Sequence, residues 1–392
     1  MEDNTEDRSR ALRTAQKVPF LEYPSSNTGG GRKRCLIYYI TGNPGVVDFY
    51  IPFFTTLRRL LDETEARAGC DRSFHIYSAN LLGFDDADHD PFGSAPGTEP
   101  FVLEDQVRHC YDRLAQVSMA DPASEQAEKK PFDEVILAGH SVGTYIAVEL
   151  FHRHHLLRKA IREGTAAAQS DGTVDSFANV NLKAGILLFA TVTNIALSPS
   201  GKRMNNLRTS PFLDRNAHRI ARRFLDLVPT GLLNFIVRRI VGHPPDAAAI
   251  VVRWLKSRDG LWQALHLGKD EMRAITEERW SEDIWEIEEE AAAVDGGEDS
   301  VAKDAGPAEG AAETKTATTT PGGEKFYIFF GRKDEWVAKK CRDEFISRRR
   351  QNQMSRTRIV IDEGNIPHDF CIKHSEEVAE KTKTWIDEII AQ

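Results

Sequence analysis

Apolar residues along this chain come in short unbroken runs, each followed by a turn and then by apolar positions at helical spacing. The run 34–41 (RCLIYYIT) is rich in β-branched and aromatic side chains and ends at Gly42-Asn43-Pro44-Gly45, which suits a buried strand. Beyond that turn, Tyr50, Phe53, Phe54, Leu57, Leu60 and Leu61 recur as one face of a helix. Segments 74–80, 133–139, 183–192, 325–331 and 357–361 read as further strands, with helices expected at about 103–117, 142–158 and 374–390. Strands that alternate with helices predict an α/β fold, its mostly parallel sheet covered by helices on both faces.

Two stretches break the rhythm. Residues 200–290 carry a helical pattern without a convincing strand. Residues 291–324 are rich in Ala, Gly, Glu and Thr and nearly lack large apolar side chains, so burial there cannot offset the entropy of ordering. The expected organisation is therefore a flexible N-terminus at 1–30 and a first core part at 31–199. A helical cap or lipid-surface hairpin at 200–290, a disordered linker at 291–324 and a second core part at 325–392 follow. The insertion is expected between the sixth and seventh sheet strands.

The strand-to-helix junction at 139–143 carries the chemistry. Gly139-His140-Ser141-Val142-Gly143 fits G-x-S-x-G, a weak pattern alone but a nucleophile elbow when it joins an apolar strand to an amphipathic helix. Such a turn lifts the Ser141 hydroxyl above the sheet and puts the Val142 N–H at a helix start, where it can stabilise an oxyanion. Gly139 and Gly143 would let neighbouring backbone pass close. A serine hydroxyl needs a base. His368 follows the last strand and precedes the last helix, where this chemistry expects one. Asp334, after the strand 325–331, can hold the Nδ1 proton of His368. Asp343 and Asp362 are rivals, and only Asn194 stands at the other position for the acid, after the sixth strand. His152, His154 and His155 read as a solvated face rather than a metal site, since no carboxylate or cysteine completes them. A second oxyanion donor is expected from the loop after the third strand. In Gly42-Asn43-Pro44-Gly45, Pro44 has no N–H, which leaves Asn43 as the natural donor.

Composition narrows the setting. The 392 residues are 41% hydrophobic and 28% charged, ordinary for a globular protein. A net charge of −9 argues against nucleic acid as the partner. Five scattered cysteines without a CxxC pair fit a reducing compartment, with neither a disulfide framework nor a zinc site. No apolar region follows the polar start, so no secretory signal is expected. No run approaches the ~18 apolar residues of a spanning helix.

Several motifs together resemble the lipid droplet-associated hydrolase family: Ile40-Thr41-Gly42-Asn43-Pro44-Gly45 with Phe49-Tyr50 and Pro52-Phe53, then Gly139-His140-Ser141-Val142-Gly143-Thr144-Tyr145, Ser198-Pro199-Ser200-Gly201 and Ile366-Pro367-His368. The likeness spans about residues 33–260 and 325–390. It implies an α/β-hydrolase fold, attachment to lipid droplets and the cytoplasmic face of the endoplasmic reticulum, and action on esters such as sterol esters or acylglycerols. Ser141, Asp334 and His368 fall on the family's triad positions. Thr41 stands where the family more usually has proline, and the long linker also departs from its pattern.

Independently of that likeness, residues 211–259 suit a lipid surface. Phe224, Leu225, Leu227 and Val228 precede Pro229, while Leu232, Leu233, Phe235, Ile236, Val237, Ile240 and Val241 follow it. Arginines flank both blocks, so local charge is positive in an acidic protein. A helix pair broken at Pro229 could lay Phe224, Leu232, Leu233, Phe235, Ile236 and Ile240 into a phospholipid monolayer. The same residues could instead pack as a cap over the active site, and both readings can hold together. The sequence thus predicts a cofactor-free serine esterase acting on lipid-like substrates, with a lipid-droplet organiser or tether carrying a weak triad as the alternative.

Overall fold

The computed structural model describes residues 18–27, 31–118, 131–164, 177–281, 283–286, 325–351 and 356–392. The strands are β1 (Phe20–Tyr23), β2 (Lys33–Ile40), β3 (Arg72–Ala79), β4 (Glu134–His140), β5 (Leu182–Leu188), β6 (Phe326–Phe330) and β7 (Thr357–Ile361). They form one sheet in the order β1-β3-β2-β4-β5-β6-β7, parallel except for β1, which pairs antiparallel with β3. Strand β1 falls within the segment expected to be flexible. Its four residues alternate between exposed and half-buried, too short a pattern to declare itself against a polar background.

Between the strands run α1 (Ile51–Glu65), α2 (Leu103–Ser118) and α3 (Val142–Arg162), and α11 (Ser375–Ile390) closes the chain. Helix α1 packs with α11, and α2 with α3. The β2→β3 and β3→β4 connections run in opposite directions along the sheet. Right-handed crossovers therefore put α1 and α2 on opposite faces. Neighbours β2 and β4 thus flank a topological switch point, where the carboxyl ends of strands leave a crevice. Strands β4 and β6, each paired on both sides, are buried throughout, which is why they read as unbroken apolar runs.

Only β1 precedes β2 among the described residues. The glycine-rich loop therefore follows the second strand rather than the third. The helical insertion lies between β5 and β6, the fifth and sixth strands rather than the sixth and seventh. It comprises α4 (Pro199–Arg208), α5 (Pro211–Leu227), α6 (Thr230–Phe235) with a π-turn at Ile236–Ile240, α7 (Pro245–Lys256), α8 (Gly260–Ala274) and α9 (Asp283–Glu286). Leu267 and Met272 of α8 and Trp285 of α9 belong to the main core. Leu225, Leu233, Val237, Ala248 and Val252 form a separate small cluster within α5–α7. Leu233, expected at a lipid surface, is thus only 7% exposed. A helical hairpin must seal its own interior before it has an outer face, and Leu233 and Val237, four positions apart, supply that seal. The linker expected at 291–324 lies outside the described residues. Among those residues, no helix is long and apolar enough to cross a membrane.

Candidate active site

The elbow is built by close approach of backbones. Ser141 sits at φ 53°, ψ −124°, a conformation that costs a non-glycine residue free energy and is held by its surroundings. Its N–H donates to the Leu188 carbonyl, continuing the β4–β5 ladder, and its carbonyl accepts from the Thr144 hydroxyl at 2.6 Å. A Cβ at Gly139 would stand 2.4 Å from the Gly143 carbonyl oxygen, and one at Gly143 would stand 2.3 Å from that of Ile40. Only glycine lets α3 begin this close to the end of β2.

The Ser141 Oγ lies 2.8 Å from His368 Nε2, and His368 Nδ1 lies 2.8 Å from Asp334 Oδ2. The Asp334 side chain is 1% exposed, and its second oxygen accepts from the Trp336 N–H at 2.8 Å. The rival carboxylates do other work. Asp362 accepts from the N–H groups of Gly364 and Ile366, at 3.0 and 2.7 Å, and so shapes the loop that presents His368. Asp343 pairs with Arg342 on α10 (Lys339–Gln351). Asn194 adopts a left-handed conformation ahead of a single 3₁₀ turn. The Ser198-Pro199-Ser200-Gly201 motif starts α4. Ser198 Oγ caps it by accepting the Gly201 N–H, and the Ser200 N–H donates to the Glu335 carbonyl, next to Asp334.

The glycine-rich loop lies against Ser141: a Cβ on Gly42 would be 3.2 Å from Ser141 Cβ. Gly45 abuts Leu81 in the same manner. The Gly42 N–H already donates to the Tyr50 hydroxyl at 3.0 Å, so it is not free for an oxyanion. Pro44 has no N–H, and Asn43 is the remaining donor between them. The Asn43 side chain is fixed separately: its Nδ2 donates to the Ala264 carbonyl and to Glu271 Oε1, each at 3.0 Å. Both partners lie on α8, so a helix of the insertion clamps this loop. Burial pushes the Glu271 carboxyl up to about 8, against the smaller opposing effect of the Asn43 hydrogen bond, which keeps it largely protonated at neutral pH. Sequence reasoning missed Glu271 because a lone acid on an amphipathic helix gives no sign of what it touches.

Helix α8 is further stitched to the segment between β3 and α2. Gln263 exchanges two hydrogen bonds with the backbone of Phe101, and Asp270 accepts from the Leu103 N–H at 2.8 Å. The outer part of the insertion touches segments that flank the site in sequence: Arg253 of α7 pairs with Asp48, and Gly242 lies near Lys373, five residues past His368. Of the residues expected to meet lipid, Phe224, Leu232, Phe235 and Ile240 are exposed and Ile236 is half-buried. Phe224 is 67% and the neighbouring Leu227 83% exposed. The three histidines after the elbow do not form a solvated face. His154 is buried against Phe177, and burial lowers it to about 4. Among the described residues, no group of side chains is placed to hold a metal ion.

The family described as lipid-droplet associated hydrolase matches residues 33–371. The lipid droplet-associated hydrolase of Mus musculus is 22% identical over 355 residues, 90% of this chain and 84% of that protein. Its counterpart from Rattus norvegicus is 22% identical over 362 residues, 92% and 86% of the two chains. Among solved structures, a peroxisomal alpha-beta-hydrolase of Saccharomyces cerevisiae superposes with a TM-score of 0.51 at 11% identity, covering 96% of this chain and 83% of that one. That likeness is one of fold.

Proposed function

The chain belongs to the lipid droplet-associated hydrolase family, and on that premise we propose that it is a serine hydrolase cleaving carboxylic esters of lipid-like substrates, sterol esters or acylglycerols, at the surface of lipid droplets and the cytoplasmic face of the endoplasmic reticulum. The observation that carries the reading is the Ser141–His368–Asp334 relay, two hydrogen bonds of 2.8 Å in line. Ser141 Oγ attacks the ester carbonyl as His368 Nε2 takes its proton, and Asp334 stabilises the imidazolium that forms. The N–H groups of Val142 and Asn43 receive the developing oxyanion. Collapse expels the alcohol, protonated by His368, and leaves an acyl-Ser141. Water, deprotonated by the same histidine, attacks that ester and releases the acid. Nucleophile, base and oxyanion donors are all the chain's own, so each step proceeds without a cofactor.

The test compares purified wild type with Ser141→Ala on short- and long-acyl esters. Turnover should fall to background with both, and undiminished turnover would remove Ser141 from the mechanism. A second reading, a lipid-droplet organiser or tether with a weak triad, is favoured by the exposed apolar side chains of α5 and α6, which take no part in the Ser141–His368–Asp334 relay. It requires that deleting 211–259 abolish the effect on droplets in cells while Ser141→Ala spares it.

A further inference from the structure

The side chain next to the nucleophile has no part in the relay, yet both of its ring nitrogens are bonded. His140 is buried, its ring edge-on to those of Tyr50, Phe189 and Phe370. Its Nε2 lies 2.8 Å from the backbone carbonyl of His368, and its Nδ1 lies 2.7 Å from the Tyr50 hydroxyl. A carbonyl only accepts, so Nε2 must carry a proton, and in the neutral ring Nδ1 is then bare. Tyr50 then donates its own proton to Nδ1. Its oxygen in turn accepts the Gly42 N–H at 3.0 Å. The chain Gly42 N–H → Tyr50 O–H → His140, then His140 Nε2–H → His368 carbonyl, has one direction and one tautomer.

Its two ends are the two backbones that must be in register with Ser141: the loop that offers the Asn43 N–H, and the loop that presents the catalytic base. We propose that His140 and Tyr50 are positioning residues, a hydrogen-bonded brace that sets the spacing between the oxyanion donor and the base from the position beside the nucleophile. Burial holds His140 well below the usual histidine range, so the imidazole stays neutral and the direction of the brace is kept. Tyr50 is equally enclosed, and burial raises it well above the usual range, so it keeps the proton it donates. Tyr50, an apolar helix position and part of a family-like motif in the sequence, thereby gains a physical task.

The kinetic part of this inference rests on the ester-hydrolase reading, so its test has an arm that does not. With p-nitrophenyl butyrate, Tyr50→Phe should lower kcat on the order of ten- to a hundredfold with KM within twofold, because the loop loses its anchor at Gly42 while the acyl site is untouched. His140→Leu should lower it at least as far. His140→Gln, whose amide can both donate and accept, should recover most of the loss. Thermal melting checks that each variant is folded, and the near-isosteric Tyr50→Phe keeps the test valid if His140→Leu is not. Unaltered kcat in Tyr50→Phe, or equal loss in the Leu and Gln variants, overturns the brace. Nitrogen-15 NMR of histidine-labelled wild type at neutral pH should show His140 as the neutral Nε2–H tautomer, and an Nδ1–H or protonated ring overturns it. If the wild type shows no Ser141-dependent turnover, the hydrolase reading fails and the NMR result alone decides the brace.

Discussion

Asp334 shows what one atom contributes at this site. Its Oδ2 faces His368 Nδ1 and its Oδ1 is occupied by the Trp336 N–H, so the carboxylate cannot rotate without breaking both bonds. Asp334→Asn keeps the shape but can present an N–H to the ring, which favours the wrong tautomer. Turnover of a soluble ester should fall on the order of 10³- to 10⁴-fold while the melting temperature stays nearly unchanged, as paired kinetic and thermal measurements will show. Ser141, Asp334 and His368 are legible in the sequence because each sits where a strand gives way to a loop or helix, and apolar runs mark those junctions. Tyr50, His140 and Glu271 are not legible as site residues. Each role needs a partner 90 to 228 positions away, and no local pattern encodes such a pairing. His154 departs from its expected place for the same reason: helical position alone does not say that Phe177 covers it.

Among the elements, α8 joins the insertion to the glycine-rich loop beside Ser141. The helical pattern of 200–290 is plain in the sequence, and the strands other than β1 fall within a few residues of their expected places. Which helices join the main core is hidden there, because amphipathicity tells that a face is buried but not against what. The Glu271–Asn43 contact gives this junction a pH signature. Glu271 titrates near 4.5 when unfolded and at about 8 when folded. The folded chain thus binds the extra proton between those values, and this contribution to stability is full below about pH 4.5 and lost as pH rises through about 8. Glu271→Gln removes the titrating group and keeps an amide oxygen for Asn43. Between pH 5 and 8, wild-type stability should fall relative to the variant by at most about 1.4 kcal/mol per pH unit. Parallel curves for the two proteins in urea melts across that range would show that Glu271 does not carry the buried proton.

At the scale of the whole molecule, α5, α6 and the π-turn after them expose large apolar side chains. Phe224, Leu227, Leu232, Phe235, Ile240 and Val241 are all exposed, with Arg223, Arg238 and Arg239 among them. Each large side chain moved from water into acyl chains contributes roughly 1.5–3 kcal/mol. Replacing Phe224, Leu227 and Phe235 together by Glu should therefore cut partitioning onto phospholipid-coated triacylglycerol droplets at least about tenfold in a flotation assay. Hydrolysis of a soluble short ester should persist, since these three side chains take no part in the Ser141–His368–Asp334 relay. Equal flotation of the two proteins would assign lipid contact to another surface. The Pro229 break and the flanking arginines make this region visible in the sequence, whereas the inward turn of Leu233 follows only from the packing of α6 on α7. Lipid contact and loop bracing matter to catalysis only if Ser141 is activated. The most direct measurement is mass-spectrometric mapping after the folded protein meets a fluorophosphonate probe. A single adduct on Ser141, absent from Ser141→Ala and formed far more slowly by His368→Ala, is the expected result. An unlabelled Ser141 in the folded wild-type protein would contradict it.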